Sequence, residues 1–366
     1  MSESAKRPRR GAPKVWVPRH VQVTAAAAEQ PHTAEILRRL EAAGVDDVRL
    51  LRSNRLVGLN EGSDREIYAR AKATMAVVVA PPSALKPQPI PPSADWRVDL
   101  ARGCPAHCQY CYLAGSLQGP PVTRVHANLD DVLAGIGTHA GRGTVTSGTT
   151  ARGHEGTTFE LSCYTDPLAL EHLTGSLAKA IELVGTGRYG DASLRFTTKF
   201  DAVDELIDLE HHGRTRMRVS VNSDEVAGRF EGGTASMPAR LVALRRMARA
   251  RYQVGLTVAP IMPAGDWRLA YATLLDDVAA AVDGLPDLDL TVEAITHRFT
   301  DSSKEVLQGW YPRTRLEMDE ARRTQKRTKF GGSKYVYPRE VMSELRGWFS
   351  DAVSTRLPGA PLLYWT

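Results

Sequence analysis

Strands and helices alternate through residues 94–300, and this alternation constrains the fold more than any other feature of the sequence. Short runs rich in Val, Ile, Leu, Phe and Thr predict buried strands, and the segments between them carry apolar residues at helical spacing. The strands are predicted at 96–103, 157–163, 193–200, 215–222, 253–261 and 288–295. The helices are predicted at 129–140, 167–184, 202–212, 238–251 and 267–282. Successive β–α units predict an α/β fold with a parallel sheet, either doubly wound or a TIM-type barrel with units missing.

The flanking sequence defines the expected domain organisation. Residues 1–14 are basic and polar and are predicted to form a disordered tail. Residues 15–93 form an N-terminal segment, which ends in a linker because six prolines fall within 81–93 and argue against regular structure there. The barrel is predicted over 94–300, and 301–366 form a C-terminal region.

The bulk properties predict a cytoplasmic protein without a membrane partner. No stretch approaches eighteen apolar residues, and the N-terminus lacks the apolar core of a signal peptide. Thiols stay reduced in the cytoplasm, so a cluster of cysteines there indicates metal binding or catalysis rather than disulfides. The formal net charge of +5 is compatible with an anionic partner such as nucleic acid but does not by itself indicate one.

Three of the four cysteines lie in the stretch "RGCPAHCQYCYL", residues 102–113. Cys104, Cys108 and Cys111 follow the first predicted strand with the spacing Cys-x3-Cys-x2-Cys. One interpretation is a structural zinc site with His107 as the fourth ligand. The other is a [4Fe–4S] cluster whose fourth iron has no protein ligand and can bind a small molecule. The spacing favours the cluster, because zinc sites usually take their ligands as two separated pairs.

Several polar residues fall at the C-terminal ends of the predicted strands, the end at which (β/α) barrels carry their active sites. They are Cys163, Lys199, Ser220, Asn222 and Glu293. Cys163 is the only thiol outside the triplet, and an S–H bond is weak enough to quench a carbon radical. The alternative for Cys163 is a small buried side chain, which is the usual role of a single cysteine. The strand ends and the cysteine triplet therefore predict one common site.

The triplet, on a loop after the first barrel strand and followed by an aromatic residue, resembles that of the radical S-adenosylmethionine (SAM) enzymes. The ordered blocks "GCPAHCQYCYL", "FELSCYTDPLALEHL", "LRFTTKFDAVDEL" and "GSKYVY" resemble one family within that superfamily, the spore photoproduct lyases. The resemblance runs from about Tyr68 to the C-terminus. It implies a partial (β/α)6 TIM-type barrel of the radical SAM kind with N-terminal and C-terminal extensions. It also implies a [4Fe–4S] cluster and SAM as cofactors.

The resemblance further implies a reaction. The family's members are DNA-repair lyases that revert 5-thyminyl-5,6-dihydrothymine, called spore photoproduct, to two thymines through a 5′-deoxyadenosyl radical. By this resemblance Cys163 donates a hydrogen atom to the thymine radical, and Tyr110 and Tyr112 return the radical to the adenosyl group. The residues that match the family's SAM contacts are Thr165, Lys199 and Ser220. Serine is usual at the first of these positions, and threonine keeps the hydroxyl group.

The implied partners are UV-damaged DNA and an electron donor such as flavodoxin or ferredoxin. The family's DNA-contacting hairpin carries Arg-Tyr-Gly, and Lys329, Phe330 and Gly331 stand at the matching positions. Lysine keeps the positive charge and phenylalanine keeps the stacking face. Two alternatives stay open: an enzyme of the same family that acts on a different substrate, and a zinc-stabilised nucleic-acid-binding protein without catalysis.

Overall fold

The structure is a computed structural model that describes residues 15–117, 119–146, 148–150, 152–327 and 332–366. The strands are β1 (His20–Val23), β2 (Val48–Leu50), β3 (Thr74–Val78), β4 (Gln88–Ile90), β5 (Ala94–Val98), β6 (Ala101–Arg102), β7 (His107–Cys108), β8 (Thr123–His126), β9 (Thr157–Leu161), β10 (Ala192–Thr198), β11 (Thr215–Val221), β12 (Glu231–Gly232), β13 (Gln253–Ile261), β14 (Leu290–Thr296), β15 (Thr324–Arg327), β16 (Ser333–Val336) and β17 (Leu362–Trp365). The helices are α1 (Ala25–Ala28), α2 (Pro31–Ala42), α3 (Asp64–Lys72), α4 (Leu129–His139), α5 (Glu171–Thr174), α6 (Ser176–Gly185), α7 (Asp224–Phe230), α8 (Met237–Arg249), α9 (Trp267–Val282), α10 (Asp301–Trp310) and α11 (Arg339–Arg356). None of the helices in these ranges is long and apolar enough to cross a membrane.

The larger sheet is an open half-barrel of eight strands in the order β17-β14-β13-β11-β10-β9-β5-β4. The six strands from β5 to β14 run parallel in chain order, and β17 extends them at one edge. Strand β4 pairs antiparallel with β5 at the other edge. This sheet confirms the predicted α/β fold and the partial barrel of six strands.

A second, five-stranded sheet has the order β2-β1-β3-β8-β6. Its last two strands come from the sequence that follows the proline-rich stretch, so the N-terminal segment shares this sheet with the barrel region. Leu170 and Leu173, which follow β9, are buried in the apolar core on this sheet. The loop between β6 and β8 carries the three clustered cysteines. The cysteine loop therefore begins and ends on the N-terminal sheet.

The predicted helix at 202–212 is wrong, because only a short 3₁₀ turn over residues 204–206 forms there. Contacts with residues distant in the sequence hold this segment in another conformation, although its apolar residues have helical spacing. The hydroxyl group of Tyr252 donates to the backbone oxygen of Leu206 at 2.6 Å, which a longer helix would use internally. The ring of His211 stacks on that of Tyr252 at 3.7 Å between centroids, and its Nε2 lies 2.9 Å from the backbone oxygen of Ala250.

Two further local predictions need correction. The predicted helix at 167–184 is broken at Gly175, whose φ of 62° is left-handed. Glu171 then accepts hydrogen bonds from the backbone N–H groups of Leu177 and Ala178 at 2.7 and 3.0 Å, which caps the second helix. The proline-rich stretch also contains a strand, β4, in which Pro89 is tolerated because the strand lies at the edge of the sheet.

Candidate active site

A cavity of about 620 Å³ opens at the C-terminal ends of the barrel strands. It brings together the predicted site residues that the structure describes. These residues are Cys104, Cys108, Tyr110, Cys111, Tyr112, Cys163, Thr165, Lys199 and Ser220. Lys329 and Phe330 lie outside the described residues. The cavity therefore lies at the end of the sheet where (β/α) barrels carry their active sites.

Three sets of contacts, each of which involves backbone atoms of the loop, hold the cysteine loop in place. Gly103 has a φ of 86°, and a Cβ atom there would lie 2.2 Å from the backbone oxygen of Val122, so only glycine fits directly before Cys104. The buried ammonium of Lys72 donates to the backbone oxygens of Cys104 and Ala106, each at 2.5 Å. Strand β7 pairs antiparallel with β12, which places Cys108 opposite Glu231. These contacts fix the direction in which the cysteines face.

The chemistry of the cysteine loop fits an iron–sulfur cluster better than a zinc ion. No group of three or more Cys, His, Asp or Glu side chains in the described residues is arranged to hold a single metal ion. His107, the candidate fourth zinc ligand, places its Nδ1 2.9 Å from the hydroxyl group of Tyr68, a hydrogen bond that a metal-bound histidine could also make. A four-iron cube is larger than one ion and spaces its thiolate ligands farther apart. Burial raises the pKa of the Cys104 thiol to about 12, so metal binding there must displace a proton.

Lys199 forms the centre of the polar wall of the cavity. Its Nζ donates to Ser220 Oγ at 2.8 Å, to Glu231 Oε1 at 2.9 Å and to the Tyr110 hydroxyl at 3.1 Å. Glu231 is fully buried; it also accepts a hydrogen bond from the Tyr110 hydroxyl, and Arg240 Nη2 donates to its Oε2 at 2.5 Å. Burial by itself would raise the pKa of Glu231. The positive charges of Lys199 and Arg240 have the larger effect and lower this pKa to about 2. These three partners use all the N–H donors of the ammonium, so a ligand carboxylate would bind Lys199 by replacing one of them.

Sequence reasoning missed Glu231, because it follows a helix rather than ending a barrel strand. Replacing it with glutamine removes the negative charge between Lys199 and Arg240 and leaves two buried cations without their counter-charge. We expect the Glu231→Gln variant to lose about 3 kcal/mol of the free energy of unfolding, measured by urea denaturation. The control is Glu225→Gln in α7, which breaks an exposed ion pair with Arg229 and should lose under about 1 kcal/mol. Equal losses in the two variants would contradict a clamping role for Glu231.

Two threonine hydroxyls in the cavity wall have no hydrogen-bond partner within the described residues. They are Thr165 Oγ1, which the sequence predicted as a SAM contact, and Thr257 Oγ1, which it did not. A buried hydroxyl without a partner costs about 1–3 kcal/mol, so these two groups fit hydrogen bonding to a ligand bound in the cavity. Thr257 on β13 lies in register with Ser220 on β11 and Glu293 on β14. Thr257 is the central residue of β13, so its position along the strand gave no signal that it faces the cavity.

Cys163 reaches the cavity from a strained turn at the end of β9. Ser162 has a left-handed φ of 61°, which is costly for a residue other than glycine. The Oγ of Ser162 accepts a hydrogen bond from the backbone N–H of Leu100 at 3.0 Å. The backbone oxygen of Ser162 accepts one from the backbone N–H of Thr165 at 3.1 Å. Burial raises the pKa of the Cys163 thiol well above its usual value, so the sulfur keeps its hydrogen at neutral pH. Tyr112, 63 % exposed, lines the same cavity.

Two further candidates have structural partners instead. Glu293 lies in the barrel interior, where Arg218 and Arg195 donate to its carboxylate together with Ser93 Oγ at 3.3 Å. Asn222 donates to the backbone oxygen of Pro260 at 2.8 Å and accepts from the Tyr271 hydroxyl at 2.9 Å. Glu293 therefore balances buried cations at the cavity wall, and Asn222 links β13 to α9.

An exposed basic hairpin stands beside the cavity. Strands β15 and β16 pair antiparallel, with Lys326 opposite Lys334, and they flank residues 328–332. Arg323, just before β15, donates to the backbone oxygen of His297 at 3.0 Å, and His297 lines the cavity. Arg323 therefore joins the start of β15 to the cavity wall, and Lys329 and Phe330 follow this strand in the sequence.

A half-barrel of parallel strands, with three cysteines on a loop beside the cavity at its C-terminal ends, defines the radical SAM class of proteins. The comparisons identify the family within this class. The sequence profile of the spore photoproduct lyase family matches residues 16–366, which extends the resemblance well before Tyr68. The chain belongs to the spore photoproduct lyase family.

Individual relatives agree over nearly the full chain. The spore photoproduct lyase of Geobacillus sp. (strain Y412MC61) is 37 % identical over 353 residues, which cover 96 % of this chain and 100 % of the relative. The spore photoproduct lyase of Bacillus subtilis (strain 168) is 34 % identical over 351 residues, which cover 96 % of this chain and 99 % of the relative. A solved spore photoproduct lyase variant with bound AdoMet and dinucleoside spore photoproduct has a TM-score of 0.87 and 37 % identity. A second, complexed with the dinucleoside lesion, has a TM-score of 0.88 and 38 % identity; each covers 96 % of this chain and 100 % of its own.

Proposed function

We propose that this protein reverts spore photoproduct in DNA to two thymines, with SAM and a [4Fe–4S] cluster as cofactors. One observation carries the proposal: a single cavity gathers the three clustered cysteines, the pair Lys199 and Ser220, and the separate thiol of Cys163. Solved relatives that bind AdoMet and dinucleoside spore photoproduct support it, since they share the fold over 96 % of this chain.

The cavity wall divides into a cofactor side and a lesion side. The cluster ligands are Cys104, Cys108 and Cys111. When bound, the cluster and SAM supply the carbon radical that removes a hydrogen atom from the lesion, after one electron arrives from a donor such as flavodoxin or ferredoxin. The ammonium of Lys199 would bind the carboxylate of SAM in exchange for one of its present partners, and the hydroxyls of Ser220 and Thr165 would donate further hydrogen bonds to it.

Cys163 gives the hydrogen atom of its thiol to the thymine radical that remains after the methylene bridge breaks. The sulfur radical left behind then takes a hydrogen atom from the tyrosine pair, Tyr112 and Tyr110, which passes the radical back toward the cofactor side. Tyr110 is suited to this role because the hydrogen bonds with Glu231 and Lys199 hold its hydroxyl group in one place.

An anaerobic repair assay tests the function. Reconstituted protein with SAM and a chemical reductant is mixed with synthetic dinucleotide spore photoproduct, and the products are separated by chromatography. We expect the lesion to be converted to thymidylyl thymidine. Cleavage of SAM without release of repaired dinucleotide would contradict the proposal and favour a different substrate within the same family. Zinc in place of iron would favour the zinc-stabilised nucleic-acid-binding protein.

Phe330 is proposed to stack on bases beside the lesion, and Lys329 to contact phosphate. Replacing Phe330 with alanine should slow repair of a lesion within duplex DNA about tenfold, since stacking on one base contributes about 1–3 kcal/mol. The lesion in an isolated dinucleotide needs no extrusion and should be repaired at the normal rate. Phe330→Tyr, which keeps the aromatic face, is the matched control. An equal loss on both substrates would contradict this role.

A further inference from the structure

Two arginines pack against Tyr164, the residue that directly follows Cys163, and a third arginine lies opposite one of them in the neighbouring strand. The guanidinium groups of Arg97 and Arg102 pack against the Tyr164 ring, 4.5 and 4.7 Å from its centroid. Arg97 and Tyr164 line the cavity together with Cys163. Arg124 completes the group from strand β8. We call Arg97, Arg102 and Arg124 the arginine cluster.

The arginine cluster holds like charges close together. Arg102 on β6 and Arg124 on β8 are direct cross-strand partners in an antiparallel pair, an arrangement that destabilises a sheet. Burial lowers the pKa of Arg124, and the charge of Arg102 lowers it further. The Nε atoms of Arg97 and Arg102 are buried and have no hydrogen-bond partner in the described ranges.

The protein supplies too little negative charge to balance the arginine cluster. Asp99 is the carboxylate that faces Arg97 and Arg102. It is itself buried, with one carboxylate oxygen lacking a hydrogen-bond partner among the described residues. Glu160, the next carboxylate toward the barrel interior, is already paired with Arg218. Two guanidinium groups therefore face one carboxylate, and Arg124 adds a third positive charge opposite Arg102, so the arrangement favours an added anion.

We propose that the arginine cluster is a phosphate-binding site, which holds a phosphodiester group of the lesion strand beside Cys163. This inference rests on the proposed function, since it assigns a recognition site to the same substrate. A guanidinium group presents paired N–H donors that match two phosphate oxygens. An anion between Arg102 and Arg124 removes their repulsion, and Arg102 packs on Tyr164, which lines the cavity next to Cys163. A dinucleoside lesion carries no phosphodiester and so leaves this site without its ligand.

The test compares binding of the dinucleotide lesion with that of the dinucleoside lesion, which lacks the phosphate. Reconstituted protein without SAM cannot turn over, so competition against a labelled lesion oligonucleotide gives dissociation constants. Wild-type protein should bind the dinucleotide at least about tenfold more tightly, because one charged hydrogen-bonded contact contributes about 1.5–3 kcal/mol. In Arg102→Gln and Arg124→Gln this ratio should fall toward one, while affinity for the dinucleoside stays unchanged.

The salt dependence gives a second readout. For a single-stranded lesion oligonucleotide, each variant should reduce the slope of log affinity against log salt by about 0.7, the value for one lost phosphate contact. Arg188→Gln removes the same charge from an exposed turn before β10, at the opposite end of the barrel, and should change neither readout. A ratio that stays at the wild-type value in both cluster variants would overturn the proposal.

Thermal unfolding separates ligand binding from a structural role. If the arginine cluster serves to bind a ligand and not to stabilise the fold, the Arg124→Gln variant loses a repulsion between like charges. Without DNA, this variant should then melt at or above the melting temperature of the wild-type protein. A lower melting temperature together with weakened dinucleoside binding would show a structural role and overturn the inference. Failure of the proposed function is distinguishable, because wild-type protein would then fail to repair even the dinucleoside lesion.

Discussion

Replacing Cys163 with alanine is expected to leave SAM cleavage intact and to reduce the yield of cleanly repaired thymine by at least about tenfold. The variant keeps the cysteine triplet and the Lys199 wall, so radical formation and opening of the lesion should proceed. The thymine radical then lacks its hydrogen donor and reacts with other components to give by-products. Quantifying 5′-deoxyadenosine, repaired thymine and by-products in one anaerobic reaction measures all three outcomes.

A Cys163→Ser variant is the matched control for this experiment. Serine keeps the size and polarity of the side chain, but its O–H bond is too strong to give a hydrogen atom to a carbon radical. It should therefore fail in the same way as alanine. The buried thiol holds its hydrogen at neutral pH, which agrees with hydrogen-atom donation rather than attack by a thiolate. Unchanged clean repair by the alanine variant would remove Cys163 from this role.

Replacing Cys111 with alanine should abolish iron binding and lower SAM cleavage by at least about 10³-fold. Cys111 is half-buried and faces the cavity, so the smaller side chain leaves the fold of the loop in place. Two thiolates cannot hold a four-iron cube in the arrangement that exposes one iron to SAM. Iron and sulfide content, absorbance near 400 nm and the 5′-deoxyadenosine yield are the measurements.

The Cys163→Ala variant controls for the loss of a thiol as such. It removes one cavity-lining cysteine and should retain the full iron content, whereas Cys111→Ala should not. Circular dichroism that matches the wild-type protein would show that both variants are folded. Normal iron content and SAM cleavage in Cys111→Ala would contradict the assignment of the triplet as the cluster ligands.

The barrel and much of the candidate site follow from local patterns in the sequence. The strands from β9 to β14 are short apolar runs bounded by helical segments, and parallel pairing of successive β–α units sets their order. The C-terminal ends of parallel strands meet at one edge, so Cys163, Lys199 and Ser220 had to lie close together. The chemistry of the triplet is indicated by the spacing of its cysteines along the chain, which is a local property.

Other features depend on contacts between distant segments and leave no local signal. Glu231 lies in a two-residue strand whose partner, β7, is more than a hundred residues away. The arginine cluster becomes visible only when β6 pairs with β8 and places Arg102 opposite Arg124. Helical spacing over 202–212 predicted a helix, but the hydrogen bond from Tyr252 to the Leu206 oxygen holds this segment as a loop.

The central claim is that three thiols hold an iron–sulfur cluster with one open iron that binds SAM. Electron paramagnetic resonance of the anaerobically reduced protein, recorded with and without SAM, tests it most directly. We expect about four irons and four sulfides per chain and a signal that changes when SAM is added. Zinc in place of iron, or a cluster signal that SAM leaves unchanged because a fourth side chain caps the open iron, would contradict it.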